Sequence, residues 1–159
     1  MPRFTTERVS PESAALRVTW LQCLAPYRWA VGLARGLAVL DLGCGEGYGT
    51  AELSGVARLA VGLDRDASTL RRARARSPGP RLAWVAGQAE ALPFADGAFD
   101  LVCCFQVLEH LADPARFLGE ARRVLAPGGR LLLTTPNRPA VLAGLNPHHA
   151  REYDAASLR

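Results

Sequence analysis

The sequence predicts an α/β; Rossmann-like doubly wound fold, a mostly parallel sheet with helices on both faces. Three observations predict it. Five short runs, residues 37–42, 59–63, 82–86, 99–105 and 130–135, are nearly continuous in apolar residues. Strands read this way when both faces of a sheet are covered. The runs end near Asp41, Asp64, Gly87, Phe105 and Thr135, and each interval leaves room for a crossover between parallel strands. The stretches between them carry helical patterns bounded by turn residues, the alternation of an α/β domain.

Taken in order, residues 11–34 read as helical. Ala14, Ala15, Val18, Leu21 and residues 23–25 form an apolar stripe. Pro26 is expected to interrupt it, with a second short helix running to Leu33 and Gly36 ending the pattern. On the helix after the second strand, Ala67, Leu70 and Ala73 are expected to turn inward. Arg71, Arg72, Arg74 and Arg76 are then a solvated face rather than a nucleic-acid surface, since no aromatic residue interleaves with them. Before the last strand, Asp113 caps a helix with Pro114 at its first position. Phe117, Leu118, Ala121, Val124 and Leu125 make its apolar face, and Pro127-Gly128-Gly129 turns the chain into the last strand. Trp84, Cys103 and Cys104 read as core. Trp20, Tyr27 and Trp29 lie on the N-terminal helical segment, where Trp20 reads as core and the others can pack over a ligand.

Composition narrows the class. The chain has 159 residues, 49% hydrophobic and 21% charged, which fits one globular domain and excludes a disordered or collagen-like one. All 19 basic residues are Arg, with no Lys and no Ile, a bias of GC-rich coding rather than of function. The net charge of +4 does not call for nucleic acid. No apolar run approaches the roughly 20 residues of a membrane helix, and the polar start MPRFTTERVSPES lacks a signal-peptide core. The four cysteines form no CxxC pair. A cytoplasmic protein with reduced thiols is expected.

The sharpest segment is Asp41-Leu42-Gly43-Cys44-Gly45-Glu46-Gly47-Tyr48, a strand running into a glycine-rich turn and a helix. Such a turn lets a ligand approach the backbone, and a helix start offers N–H groups to an anion. Asp64 at the end of the second strand is placed to accept hydrogen bonds from a ribose diol. Two ligands compete. The dinucleotide fingerprint needs a third glycine where this chain has Tyr48 or Thr50, depending on register. Asp41 suits a cationic ligand better than a pyrophosphate, and S-adenosylmethionine carries a sulfonium and an ammonium with no phosphate. An NAD(P)-dependent oxidoreductase is the rival.

Further segments sharpen the choice. Gly87-Gln88-Ala89-Glu90 and the residues to Asp100, Phe105-Gln106-Val107-Leu108-Glu109-His110, and Arg123 to Gly129 follow the glycine loop in order. Together these motifs resemble the class I S-adenosylmethionine-dependent methyltransferases, in their bacterial type 11 branch, over about residues 36–137. A weaker likeness extends to methyltransferases linked to polysaccharide assembly. It rests on Thr6-Glu7-Arg8, Thr135-Pro136-Asn137-Arg138 and Asn146-Pro147-His148-His149-Ala150-Arg151-Glu152-Tyr153.

The resemblance implies strand order 3-2-1-4-5, S-adenosylmethionine as cofactor and methyl transfer to a small-molecule acceptor. Asp41, Gly43, Cys44, Gly45, Gly47 and Tyr48 would hold the methionine end, with Phe105 and Gln106 beside it. Asp64 and Arg65 would serve the ribose, and Gln88, Ala89 and Glu90 the adenine. Gln88 departs from the family's usual Asp and offers an uncharged carbonyl oxygen instead.

Residues 1–35 are expected to form a helical cap, 36–137 the donor-binding core and 138–159 a substrate-side segment. Only 24 residues follow Thr135, too few for a helix and the usual final hairpin. The chain therefore reads as truncated, with strand five an exposed edge able to pair in a homodimer. A donor-binding domain without turnover is a further alternative. His110 and His149 are the candidate bases, with Glu109 behind them and His148 read as a surface residue. No ligand spacing among His110, Asp113, His148 and His149 supports a metal site.

Overall fold

Five strands, β1 (Ala38–Leu42), β2 (Leu59–Asp64), β3 (Leu82–Ala86), β4 (Phe99–Phe105) and β5 (Leu125–Thr134), form one sheet in the order β3-β2-β1-β4-β5. Every neighbouring pair is parallel. The computed structural model describes residues 17–137 and 149–158, with backbone alone for residues 17–22. Among the described residues four α-helices accompany the sheet: α1 (Arg17–Leu33), α2 (Tyr48–Ser54), α3 (Ala67–Arg76) and α4 (Pro114–Val124). The order reverses at β1, which pairs with β2 on one side and β4 on the other. The crevice at the carboxyl ends of β1 and β4 is where such sheets bind ligands.

The apolar runs become strands because both faces are covered. All five residues of β1 are buried. On one face Leu40, Leu42, Val61, Leu63 and Val102 pack with Phe117, Ala121 and Val124 of α4. On the other, Val39, Ala60, Leu101 and Cys103 pack with Tyr27 and Ala30 of α1 and Leu53 of α2. Trp84 joins Leu70 and Ala73 of α3, as core.

The structure corrects several local expectations. Pro26 does not end the first helix, since α1 runs through it to Leu33. A proline inside a helix costs about 3 kcal/mol or more. Burying a Leu-sized side chain returns about 1.5–3 kcal/mol, and Leu24, Tyr27, Ala30 and Ala34 are all buried. No helix lies between β3 and β4. Instead, residues 87–98 cross irregularly, with a bridge between Gln88 and Ala91. Ala67 and Leu118 are exposed, and Thr69 takes the inward place on α3. Leu125 already pairs with Phe99 before a bulge that carries Pro127-Gly128-Gly129, so β5 begins earlier than the turn residues imply. Asp113 caps α4 as expected, accepting the Arg116 N–H at 3.0 Å.

The segment 149–158 docks beside the turn after β4. Ala150 and Arg151 donate their N–H groups to the Glu109 carbonyl at 2.7 and 3.2 Å. Asn137 and Tyr153 form a parallel bridge. Among the described residues no helix is long and apolar enough to cross a membrane. Ala14 and Ala15, the side chains of Val18, Trp20 and Leu21, Thr6-Glu7-Arg8, Arg138 and Asn146 to His148 lie outside what is described.

Candidate functional site

A cavity of about 540 Å³ opens at the carboxyl ends of β1, β2 and β4, a size suited to a drug-sized ligand. Its floor is the glycine loop through Gly43, Cys44, Gly45, Glu46 and Tyr48. Asp64 and Arg65 form one wall, and Gln88, Ala89 and Glu90 another. Phe105, Gln106 and His110 close the far side, and Cys23 and Tyr27 of α1 form the roof.

The loop's own amides are engaged within the protein. Gly43 and Cys44 both donate to the Leu63 carbonyl, at 2.8 and 3.1 Å, and Gly47 donates to the Cys44 carbonyl at 3.0 Å. Gly45 donates to Asp64 Oδ2 at 3.0 Å. These bonds occupy the amides of Gly43, Cys44, Gly45 and Gly47, so those four form no phosphate cradle, while the start of α2, where N–H groups for an anion are expected, has no side-chain cap. The strands β1 and β2 lie side by side, so the turn after one closes onto the end of the other.

Two glycines serve different ends. Gly45 has φ +52 with nothing within 4 Å of where a Cβ would stand, so its place beside the cavity stays open. Gly47 has φ +79, and a Cβ there would lie 2.3 Å from the Trp84 ring. Gly47 is a packing residue and does not line the cavity. Asp64 uses two of its roughly four acceptor positions, on the Gly45 N–H and on the Asp66 N–H at 2.9 Å. The others remain for a ligand's hydroxyls.

Asp41 lies beneath the cavity rather than in its lining, with no exposed surface. Tyr27 OH donates to its carboxylate at 3.1 Å and Thr50 Oγ1 at 2.5 Å. Burial pushes the Asp41 carboxyl up to about 7, against the pull of the Thr50 and Tyr27 hydrogen bonds and with the Asp64 charge adding to the rise. Burial likewise raises the Cys44, Cys103 and Cys104 thiols, so none is a poised thiolate.

Arginine contacts brace the floor and one wall. Arg72 and Arg76 of α3 reach Glu46 at 2.7 and 3.3 Å. Burial raises the Glu46 carboxyl, but these two arginines outweigh it and hold it below its usual range. All four arginines of this run are exposed, as a solvated face requires, and within it Arg72 and Arg76 also hold Glu46 while Arg74 reaches the Trp84 carbonyl at 3.3 Å. Arg123 of α4 donates to the Leu92 and Phe94 carbonyls at 3.0 and 2.8 Å, to Asp96 and to Glu120. Glu120 in turn accepts the Leu92 N–H at 2.7 Å. This clamp fixes the crossing that follows Gln88, Ala89 and Glu90.

Beyond β4, Gln106 has φ 57, rare outside glycine, a strain of the kind stored at functional sites. Its N–H and its side-chain amide both donate to Thr134, at 2.9 and 3.2 Å. His110 lines the cavity, and its ring stands edge-on to His149, centroids 5.0 Å apart. His149 does not line the cavity, and its Nδ1 lies 2.7 Å from Glu152 Oε1. Glu109 is 1% exposed and accepts the Thr135 hydroxyl at 2.9 Å. Asp113 caps α4 instead of joining this cluster. Sequence reasoning missed Glu46 and Glu152, whose only signals are an Arg run opposite one and a His three positions before the other.

The methyltransferase domain family model matches residues 40–133. A protein of Mycolicibacterium smegmatis named probable S-adenosylmethionine-dependent methyltransferase is 42% identical over 97% of this chain and 61% of its own length. A ubiquinone biosynthesis O-methyltransferase of Thiobacillus denitrificans is 34% identical over 79% of this chain and 52% of its own. The chain thus spans less than two thirds of these relatives. The YcgJ protein of Bacillus subtilis superposes with TM-score 0.74 at 26% identity, over 84% of this chain and 64% of that one. An S-adenosylmethionine-dependent methyltransferase of Mesorhizobium loti superposes with TM-score 0.65 at 28% identity, over 71% and 55%. Glycine loop, strand order and these likenesses agree: the chain belongs to the methyltransferase domain family.

Proposed function

We propose that this protein transfers a methyl group from S-adenosylmethionine to a small-molecule acceptor. The cofactor is S-adenosylmethionine. One observation carries the reading against a nicotinamide dinucleotide. The amides of Gly43, Cys44, Gly45 and Gly47 are engaged within the protein and offer a pyrophosphate no cradle, while Asp64, with acceptor positions to spare, lines the cavity. A phosphate-free nucleoside with a ribose diol suits that surface.

When bound, the donor supplies a methyl carbon already activated by its sulfonium. The residues position it. Asp64 accepts the ribose hydroxyls, Gln88, Ala89 and Glu90 surround the adenine, and Gly43, Cys44, Gly45 and Tyr48 with Phe105 and Gln106 hold the methionine end. Holding donor and acceptor in line is the main contribution the protein makes. The acceptor enters on the His110 side, and its proton leaves toward the His110–His149 pair. The name of the ubiquinone-pathway relative supports a hydroxyl acceptor.

Calorimetric titration with S-adenosylhomocysteine tests the donor half. Binding is expected, with no heat from NADH, and Asp64→Ala should weaken it at least tenfold. Radiolabelled methyl transfer across a panel of phenols and catechols tests the acceptor half. Donor binding with no transfer to any of them would favour a binding domain without turnover.

A further inference from the structure

Beside the donor cavity, Glu109, His110 and His149 each offer one ligand atom, all within 4.8 Å of one another. Glu109 and His110 sit on the short turn after β4 (Leu108–His110), and His149 on the segment that docks against the Glu109 carbonyl. Tertiary structure alone brings the two pieces together, 39 positions apart (149 − 110).

The surroundings are those of a cation site. Glu109 is 1% exposed, with Oε2 on the Thr135 hydroxyl and Oε1 4.0 Å from His110 Nε2. His149 Nδ1 pairs with Glu152 Oε1 at 2.7 Å. Donation from Nδ1 puts that ring's lone pair on Nε2 and orients the ring, as carboxylates do for metal-bound histidines. Glu152 Oε2 and Tyr153 OH are buried without a hydrogen-bond partner. Among the described residues no arginine pairs with Glu109 or Glu152. Two carboxylates withdrawn from water beside two imidazoles want a positive charge.

We infer that Glu109, His110 and His149 bind a divalent transition-metal cation, zinc being the type, with Glu152 orienting His149. Two nitrogens and one oxygen suit zinc better than magnesium or calcium, which prefer oxygen alone. Ligand atoms about 2.0–2.2 Å from a tetrahedral zinc stand roughly 3.4 Å apart. A side-chain shift of about 1 Å closes the present arrangement onto an ion.

The role of the ion rests on the methyl-transfer reading above, whereas its binding does not. In the metal-loaded protein the two rings hold the cation instead of taking the proton. An acceptor hydroxyl bound to the cation is acidified and loses its proton to solvent. Its oxygen then bonds to the methyl carbon as the carbon–sulfur bond breaks, leaving the neutral thioether.

The test uses the untagged, chelator-treated chain. Zinc titrated against a chromophoric chelator should bind at one equivalent, and magnesium should not compete. Glu152→Ala should weaken zinc about 10–100-fold, and His149→Ala by more than that. Cobalt(II) should give visible d–d bands in the unsubstituted chain that His149→Ala removes, a readout that needs no activity. No zinc uptake by the unsubstituted chain, or unchanged affinity in a folded His149→Ala, overturns the site. Parallel titration with S-adenosylhomocysteine separates the two readings. Donor binding without zinc uptake sinks the metal site alone, and zinc uptake without donor binding sinks the donor reading alone.

Discussion

Tyr27 of α1 donates its phenolic hydrogen to Asp41 of β1 at 3.1 Å, so the helix over the cavity is latched to the central strand beneath it. The same phenol packs edge-on against Phe105 and Tyr48, which both line the cavity. Tyr27→Phe removes a donor from a buried carboxylate and should cost about 1–3 kcal/mol. Chemical denaturation measures it, and an unchanged midpoint would show that the latch is idle.

The raised Asp41 carboxyl gives a pH dependence of known sign. Its folded value near 7 lies above the unfolded value of about 3.9. Between the two the folded state holds the extra proton. The Asp41 contribution to stability is therefore full below about pH 4 and falls as pH rises to about 7, by up to roughly 1.4 kcal/mol per unit. Asp41→Asn should remove this slope, which denaturation curves from pH 4 to 8 compare directly.

Glu46 links the glycine loop to α3 through Arg72 and Arg76, at 2.7 and 3.3 Å. Both arginines are about half exposed, so each pair contributes at most about 1 kcal/mol. Glu46→Gln should leave global stability nearly unchanged. It should weaken S-adenosylhomocysteine roughly two- to fivefold, more at low salt than at high, as calorimetry at two ionic strengths will show.

Arg123 holds the crossing from β3 to β4 by its carbonyls at Leu92 and Phe94. Arg123→Met should speed amide hydrogen exchange across residues 88–96 while α4 stays protected. Its partner Glu120 is held down to about 2 by the Arg123 hydrogen bond and the Leu92 N–H. A carboxyl lowered on folding stabilises above its unfolded value near 4.3. That contribution is lost as pH falls through about 2, so the variant should show a shallower loss of stability in acid.

Gly47 leaves no room for a side chain, with Trp84 2.3 Å from a Cβ and φ at +79. Gly47→Ala should destabilise by about 1–3 kcal/mol and shift Trp84 fluorescence. A variant as stable as the parent with unshifted emission would contradict the packing.

The strands were legible because their cause is local. A run such as residues 99–105 is buried on both faces, and that leaves a continuous apolar imprint in the chain itself. The cap of α4 was legible for the same reason, since Asp113 and Arg116 are three residues apart. Pro26 misled because its local cost is outweighed by burial of Leu24 and Tyr27 against a distant sheet. Ala67 and Leu118 misled because helical period predicts a stripe, whereas the neighbour decides its width.

At the site, Asp64 and the glycine loop stand out in the sequence because each chemistry-bearing residue follows a strand end. Their hydrogen bonds do not. That Gly45 is tied to Asp64, that Glu46 is clamped by α3 and that Asp41 is covered by Tyr27 depend on which strands and helices become neighbours. By itself the sequence determined most of the alternation of strands and helices, the family and the end of the sheet where the glycine loop and Asp64 lie, because burial and turn geometry are written within a few residues. Only the tertiary structure decided which loop amides remain for a ligand, where Asp41 finds its partners and that Glu109 and His110 meet His149. Those outcomes join residues far apart in the chain, and spacing along a sequence does not encode distance in space.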